Sequence, residues 1–251
     1  MNVADATFGL YSDYYDLFNQ NKDYAGEAEY VLKQIAEYRP GIRSALELGS
    51  GTGSYSSQIC KRGILVTGLE KSQEMLQLAI NKSIPGFRPL SGDIRAFNLD
   101  EQFDAVVSLF HVISYLTADE EVKSCFDSTH RHLKPGGVFL FDVWHTPAVI
   151  KLKPESRVKR IITENINVVR HAEPVIVDER VVEVTYDIVI DPIDGNYQIV
   201  QEKHLLRHFT KDEIESFATK AGFMLMKAEE FYTGNSPSQD TWGVCYILQK
   251  A

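Results

Sequence analysis

The sequence predicts an α/β protein built on a doubly wound, mostly parallel sheet, and three observations carry that prediction. The stretch Ala45-Leu46-Glu47-Leu48-Gly49-Ser50-Gly51-Thr52-Gly53 reads as a buried strand running straight into a glycine-rich turn. Between 41 and 150, apolar strand-like runs alternate with helix-periodic segments, the pattern of a parallel sheet covered by helices on both faces. A second acidic residue, Glu70, ends the next strand, 64–69. Glycines at a strand-to-helix turn let the backbone approach a ligand closely, and a carboxylate on the following strand can take two ribose hydroxyls. These features together imply a nucleoside-containing cofactor.

The elements follow in order. Residues 1–40 form a helical cap, with Ala25, Ala28, Val31, Leu32 and Ile35 at helix spacing and Pro40-Gly41 to end it. The cofactor-binding core occupies 41–150. Within it, Thr117-Ala118-Asp119-Glu120 reads as a capping box that leads Val122, Cys125, Phe126, Thr129 and Leu133 along one helix face. The texture changes over 155–208. Val182, Val184, Tyr186, Ile188 and Ile190 alternate with mostly polar neighbours, as in a strand with one buried face. A turn at 191–196 and a returning strand at 198–208 follow, and 160–170 supplies a third strand of an antiparallel insertion. Residues 209–251 complete the core. Thr210-Lys211-Asp212-Glu213 caps a helix carrying Ile214, Phe217, Ala218 and Ala221, Gly222 stops it, and strands at 223–231 and 242–249 follow. The whole is one domain, 1–251. The insertion either walls off a second pocket over the sheet edge or serves as a structural or dimerisation sheet, and the two roles are compatible.

A chain of 251 residues is long enough to bury a sizeable core. The net charge of −9 argues against a nucleic-acid substrate, because phosphate binding needs clustered cations. The basic run Lys151, Lys153, Arg157, Lys159 and Arg160 is the counter-sign, and a solvated strand edge accounts for it. Cys60, Cys125 and Cys245 lie far apart with no C-x-x-C, as expected of buried thiols in a reducing compartment. No basic leader precedes an apolar run, and nothing approaches the ~18 apolar residues of a membrane span. A cytoplasmic protein with no membrane partner and no metal is expected.

The glycine spacing identifies the cofactor class. A dinucleotide turn is G-x-G-x-x-G, whereas this chain has G-x-G-x-G and places Ser54 where the last dinucleotide glycine belongs. With Glu47 before the turn, this resembles motif I of the class I S-adenosylmethionine-dependent methyltransferases. Gly68-Leu69-Glu70-Lys71-Ser72-Gln73-Glu74-Met75 resembles the family's ribose-binding segment, and Ser91-Gly92-Asp93-Ile94-Arg95 its adenine-binding segment. The run from Phe103 to His111 resembles its fourth strand, and Leu133-Lys134-Pro135-Gly136-Gly137 its hinge into the fifth. The resemblance implies a Rossmann-like, seven-stranded sheet ending in a reversed strand, with S-adenosyl-L-methionine as cofactor and S-adenosyl-L-homocysteine as product. It further implies that Glu47, Gly49, Gly51 and Gly53 shape the methionine and ribose side. Glu70 would hold the ribose hydroxyls, Lys71 and Met75 flank the adenine, Asp93 and Ile94 meet its edge, and Phe110 lines the other wall.

Methyl transfer from a sulfonium develops no strong oxyanion, so acceleration comes mainly from alignment and exclusion of water. A base matters only when the acceptor carries a proton. His111 follows strand four and His145 follows strand five, which places both at the productive edge. Tyr115, Asp142, Trp144 and His208 occupy similar positions. The opening Tyr14-Tyr15-Asp16-Leu17 and Lys22-Asp23-Tyr24 resemble the cap of methyltransferases that dimethylate amino sugars, which implies Tyr15 and Tyr24 as cofactor contacts. Phe110-His111-Val112-Ile113-Ser114 departs from that group, where small Ser and Gly residues are usual. The expected acceptor is a small polar molecule, a nucleotide-linked or free sugar, methylated on nitrogen or oxygen, by a chain that pairs as a homodimer through the insertion. The rivals are an NAD-dependent oxidoreductase, a non-catalytic cofactor sensor and a methyltransferase acting on protein.

Overall fold

The computed structural model describes residues 12–193 and 195–251, so residues 1–11 of the expected cap and Asp194 of the expected turn lie outside the described residues. The cap begins with α1 (Ser12–Phe18) and continues as α2 (Tyr24–Tyr38). Asp23 caps α2 by accepting a hydrogen bond from the Gly26 amide at 2.9 Å. Ala28, Val31 and Ile35 face the sheet as expected, whereas Ala25 is exposed and Gln34 takes a buried place on the same helix.

The core runs β1 (Ser44–Leu48), α3 (Ser54–Cys60), β2 (Leu65–Glu70), α4 (Gln73–Asn81), β3 (Phe87–Ser91), β4 (Phe103–Ser108), a 3₁₀ turn (Val112–Tyr115), α5 (Asp119–His132), β5 (Leu133–His145) and α6 (Thr146–Leu152). After the insertion come α7 (Lys211–Lys220), β10 (Phe223–Glu230) and β11 (Gly243–Lys250). Strands β3-β2-β1-β4-β5 pair in parallel, β11 pairs antiparallel with β5, and β10 pairs antiparallel with β11. This is the seven-stranded sheet with a reversed last strand. Its connections change direction between β1 and β4, and that switch point opens the crevice where such sheets bind ligands. One face buries Leu46, Val106, Phe126, Phe139 and Phe141, and the other buries Val31, Ile35, Tyr55, Val107 and Ile247. Neighbouring residues of one strand thus enter different cores, as strand alternation requires.

Two helix starts differ in quality. At α7 the capping box is complete: Thr210 Oγ1 accepts from the Glu213 amide at 3.2 Å, and the Glu213 carboxylate accepts from the Thr210 amide at 2.9 Å. At α5 the expected box is displaced by one residue. Ala118 holds the cap position and has no side-chain acceptor, so only Glu121 contributes, accepting from the Thr117 and Ala118 amides at 3.1 and 3.3 Å.

The insertion is a four-stranded antiparallel meander of β6 (Arg157–Ile162), β7 (Ile166–Ile176), β8 (Val181–Pro192) and β9 (Gln198–Phe209). The stretch expected as a single third strand, 160–170, is instead a hairpin, because Thr163, Glu164 and Asn165 turn the chain. β6 forms the sheet edge and carries Arg157, Lys159 and Arg160, so these members of the basic run sit on a solvated edge strand. The far end of β9 pairs in parallel with the end of β5, Trp144 with His208 and His145 with Phe209, so insertion and core share one sheet. All three cysteines are free; Cys125 and Cys245 are buried, and Cys60 is half-buried rather than buried. Among the described residues, no helix is long and apolar enough to cross a membrane.

Candidate active site

The turn after β1 carries Gly49, Gly51 and Gly53, all with left-handed φ, at 69°, 54° and 79°. Their surroundings separate their roles. A Cβ at Gly51 would meet no atom within 4 Å and would enter an open cavity of about 1360 Å³. Gly49 lines the same cavity with its other side against Val112. Gly53 is flanked by the cavity-lining Thr52 and Ser54 but does not itself line the cavity; a Cβ there would come within 2.7 Å of the Phe87 ring, so this glycine also lets the start of α3 pack against β3.

Two carboxylates lie beneath the turn. Glu70 accepts from the Gly51 amide through Oε2 and from the Ser72 amide through Oε1, each at 2.8 Å, which fixes the carboxylate at the lip of β2 with lone pairs to spare. Burial pushes its carboxyl above the ordinary value, and the backbone donors oppose that rise. Glu47 is 2 % exposed and accepts from the Ser56 hydroxyl; burial raises its carboxyl to about 8. Met75 and Ile94 line the cavity beyond Glu70, as do Lys71 and Asp93. Asp93 is already engaged: Arg95 Nε lies 3.0 Å from both its oxygens and Lys71 3.3 Å from one. Burial works against ionisation there, yet these cations hold the Asp93 carboxyl down to about 2. Arg95 also reaches Glu121 at 3.2 Å, tying the third strand's end to α5. The sequence reading missed Arg95, although its place two residues after an acid at a strand end was a usable signal.

The cap closes over the glycine turn. Asp16 on α1 accepts from the Thr52 hydroxyl at 2.6 Å and pairs with Lys82 at 2.6 Å. Tyr15 and Tyr24 both line the cavity. The Tyr24 ring meets Tyr55 edge-on at 4.9 Å, and its hydroxyl is buried with the Ser54 hydroxyl as a polar neighbour but without a well-formed hydrogen bond. Lys22, also unforeseen, pairs with Glu27 at 2.6 Å and sets its ammonium 4.5 Å from the Phe110 ring centre.

Phe110 and His111 are consecutive non-glycine residues with left-handed φ, 66° and 63°. Such strain persists only where neighbours hold it, and here buried Asp142 does so. Its carboxylate accepts from the His111 amide at 3.2 Å and lies 2.6 Å from His111 Nδ1, off the line along which a ring N–H would donate. Both Phe110 and His111 line the cavity. His145 does not: it is buried with Nδ1 3.2 Å from the Thr241 carbonyl, and burial lowers its basicity. Of the two histidines expected at the productive edge, the structure brings only His111 to the cavity. At its far end the cavity is walled by Tyr115, Trp144 and Trp242 and by insertion residues including Arg170, Val184 and Tyr186. Among the described residues, no His, Cys, Asp and Glu group could hold a metal ion.

Residues 45–137 match the family model described as a methyltransferase domain. The dTDP-3-amino-3,4,6-trideoxy-α-D-glucopyranose N,N-dimethyltransferase of Streptomyces venezuelae is 37 % identical over 139 residues, covering 55 % of this chain and 58 % of that relative. The crystal structure of Streptomyces venezuelae DesVI superposes with a TM-score of 0.82 at 26 % identity, covering 96 % of this chain and 98 % of that one. CalS10, an amino pentose methyltransferase from Micromonospora echinaspora solved with S-adenosylmethionine bound, aligns over 99 % of both chains at 25 % identity and a TM-score of 0.77. The chain carries a methyltransferase domain and is similar to the class I S-adenosylmethionine-dependent methyltransferases. Within them it is similar to the amino-sugar group, and its cofactor is S-adenosylmethionine; the oxidoreductase and sensor readings fall away. The methyltransferase's own residues fit that cofactor. The space above Gly51 is open, the Glu70 carboxylate is fixed where ribose hydroxyls would need it, and the Ser50 and Tyr24 hydroxyls are buried without partners among the described residues.

Proposed function

We propose that this methyltransferase methylates the amino nitrogen of a nucleotide-linked sugar. The observation that carries this reading is the continuity of one cavity from the glycine turn to the insertion strands, so that a cofactor at one end and an extended acceptor at the other share a single chamber. At its insertion end Lys153 and Arg157 line that chamber, and Lys153 is held at φ 60°. Two cations there suit a diphosphate, and relatives act on dTDP-linked amino sugars by name. The bound cofactor supplies an electrophilic methyl group. Glu70, Met75 and Ile94 hold and orient it, Tyr15 and Tyr24 exclude water beneath the cap, and His111, at a site steadied by Asp142, takes a proton from the acceptor nitrogen once it is methylated.

Incubation with S-adenosylmethionine and a dTDP-linked 3-amino sugar should give the N-methylated sugar, with the free amino sugar a much poorer acceptor. Equal turnover of both would remove the nucleotide from this reading, and turnover of neither would remove the amino sugar. His111→Ala should lower kcat by about 100-fold if the imidazole is the base. The outer face of the insertion exposes Val158, Ile162 and Ile199, which suits a homodimer through this sheet, read out by light scattering. Free, largely buried thiols suit a cytoplasmic setting.

A further inference from the structure

The cavity wall holds a second polar chain, at its insertion end. Tyr115, on the 3₁₀ turn after β4, lines the chamber, and its hydroxyl lies 2.8 Å from Nδ1 of His204 on β9. Behind the imidazole, a Glu202 carboxylate oxygen stands 3.5 Å from Nε2, and both side chains are fully buried. Among the described residues, the Tyr186 ring on β8 lies 4.6 Å from the His204 ring between centres, and the Arg170 guanidinium on β7 lies 4.8 Å from the Tyr186 ring centre. Apolar Val149, Val182, Val184 and Leu206 pack around this end of the insertion. A buried carboxylate beside a buried imidazole is costly in such surroundings unless each finds a partner. The phenol is the member of the chain that opens onto the chamber.

The geometry points to Tyr115 as a catalytic proton acceptor, with His204 and Glu202 as positioning residues that receive and stabilise the relayed proton. The inference rests on the amino-acceptor reading above. In the step, an N–H bond of the acceptor ammonium breaks and its proton goes to the Tyr115 oxygen, while the phenolic proton moves to His204 Nδ1. The electron pair stays on the acceptor nitrogen, which becomes nucleophilic, and the positive charge comes to rest on His204 beside Glu202. The relay requires neutral His204 to carry its proton on Nε2, leaving Nδ1 free to accept.

Nitrogen NMR of the ¹⁵N-histidine-labelled protein without acceptor tests this directly, with His204→Gln identifying the signal. The expected result is an Nε2–H tautomer whose Nδ1 resonance shifts in Tyr115→Phe. An Nδ1–H tautomer would overturn the relay, since Tyr115 would then accept from His204 and could not pass a proton to it. With dTDP-3-amino-3,4,6-trideoxy-α-D-glucopyranose as probe, Tyr115→Phe should lower kcat about 100-fold and remove one ionisation from the pH profile of kcat/KM. S-adenosylhomocysteine affinity should not change, and Glu202→Gln should shift that ionisation without abolishing it. An unaltered pH profile in Tyr115→Phe would also overturn the relay. If the unmodified protein ignores the probe sugar, the acceptor reading fails, and an Nε2–H tautomer sensitive to Tyr115→Phe then supports only the Tyr115–His204 proton path and overturns its use on an amine.

Discussion

Glu47 and Glu70 are adjacent in space and differ in what they do. Glu47 is buried, the Ser56 hydroxyl and amide only partly offset that burial, and its folded-state carboxyl, at about 8, lies far above the ordinary value near 4.5. A raised carboxyl binds its proton more tightly when folded, so its contribution to stability is complete below about pH 4.5 and is lost as pH rises towards 8. Glu47→Gln should therefore flatten the fall in Tm of the ligand-free protein between pH 5 and 8, measured by calorimetry. Glu70→Ala removes a charged acceptor worth about 1.5–3 kcal/mol, so titration calorimetry should show S-adenosylhomocysteine binding weakened by about 10- to 100-fold. The two glycines make a contrasting pair. Gly53→Ala should cost about 2 kcal/mol or more in urea unfolding, because a left-handed φ and the Phe87 ring both oppose a Cβ. Gly51→Val should cost stability only through its φ, yet it should abolish cofactor binding by filling the cavity. The glycine turn and Glu70 were legible in the sequence because a strand, a turn and a helix fix where those residues lie. His145 was placed at the cavity by its position after strand five, but spacing along a chain does not say which way a side chain at a strand end turns. Arg95 was missed because its role is a contact with Asp93 rather than a motif position.

At the scale of elements, local chemistry decided most starts and stops. The Thr210 box formed as read, and Thr210→Ala should lower stability by about 1 kcal/mol in thermal unfolding, with no change in cofactor affinity. The box expected at Thr117 failed because β9 reaches this end of α5. Arg207, fully buried on β9, pairs with Asp119 at 2.6 Å and Glu213 at 3.0 Å, and reaches the Thr117 carbonyl at 3.4 Å. One guanidinium thus binds the starts of α5 and α7 to the insertion, an arrangement no window of sequence contains. The same limit explains the hairpin in 160–170. Its residues have strand character throughout, and only the turn at Thr163, with its hydroxyl accepting from the Asn165 and Ile166 amides, divides it.

For the whole molecule, the sheet order and the cavity make one claim about cofactor choice. A ligand at 100 times its dissociation constant adds about 2.7 kcal/mol, and each kcal/mol raises Tm by about 2–4 °C in a chain of this size. S-adenosylhomocysteine should therefore raise Tm by about 5–10 °C while NAD leaves it unchanged, as read by differential scanning fluorimetry. A shift with NAD alone would remove the cofactor assignment and the site built on it.

The two residue pairs that join β9 to β5 also set a rule for making chimaeras. The segment from β6 to β9 is a cassette that supplies one end of the chamber, and it is spliced to the chassis at Trp144 with His208 and His145 with Phe209. A donor cassette from a relative would carry its acceptor preference with it only if that splice keeps its register. A slip of one residue would turn His204 to the opposite face and break its pairing with Tyr115, because strand side chains alternate between faces. Recombination between these enzymes should therefore succeed at α6 and α7, in whole cassettes, and fail at points within β9.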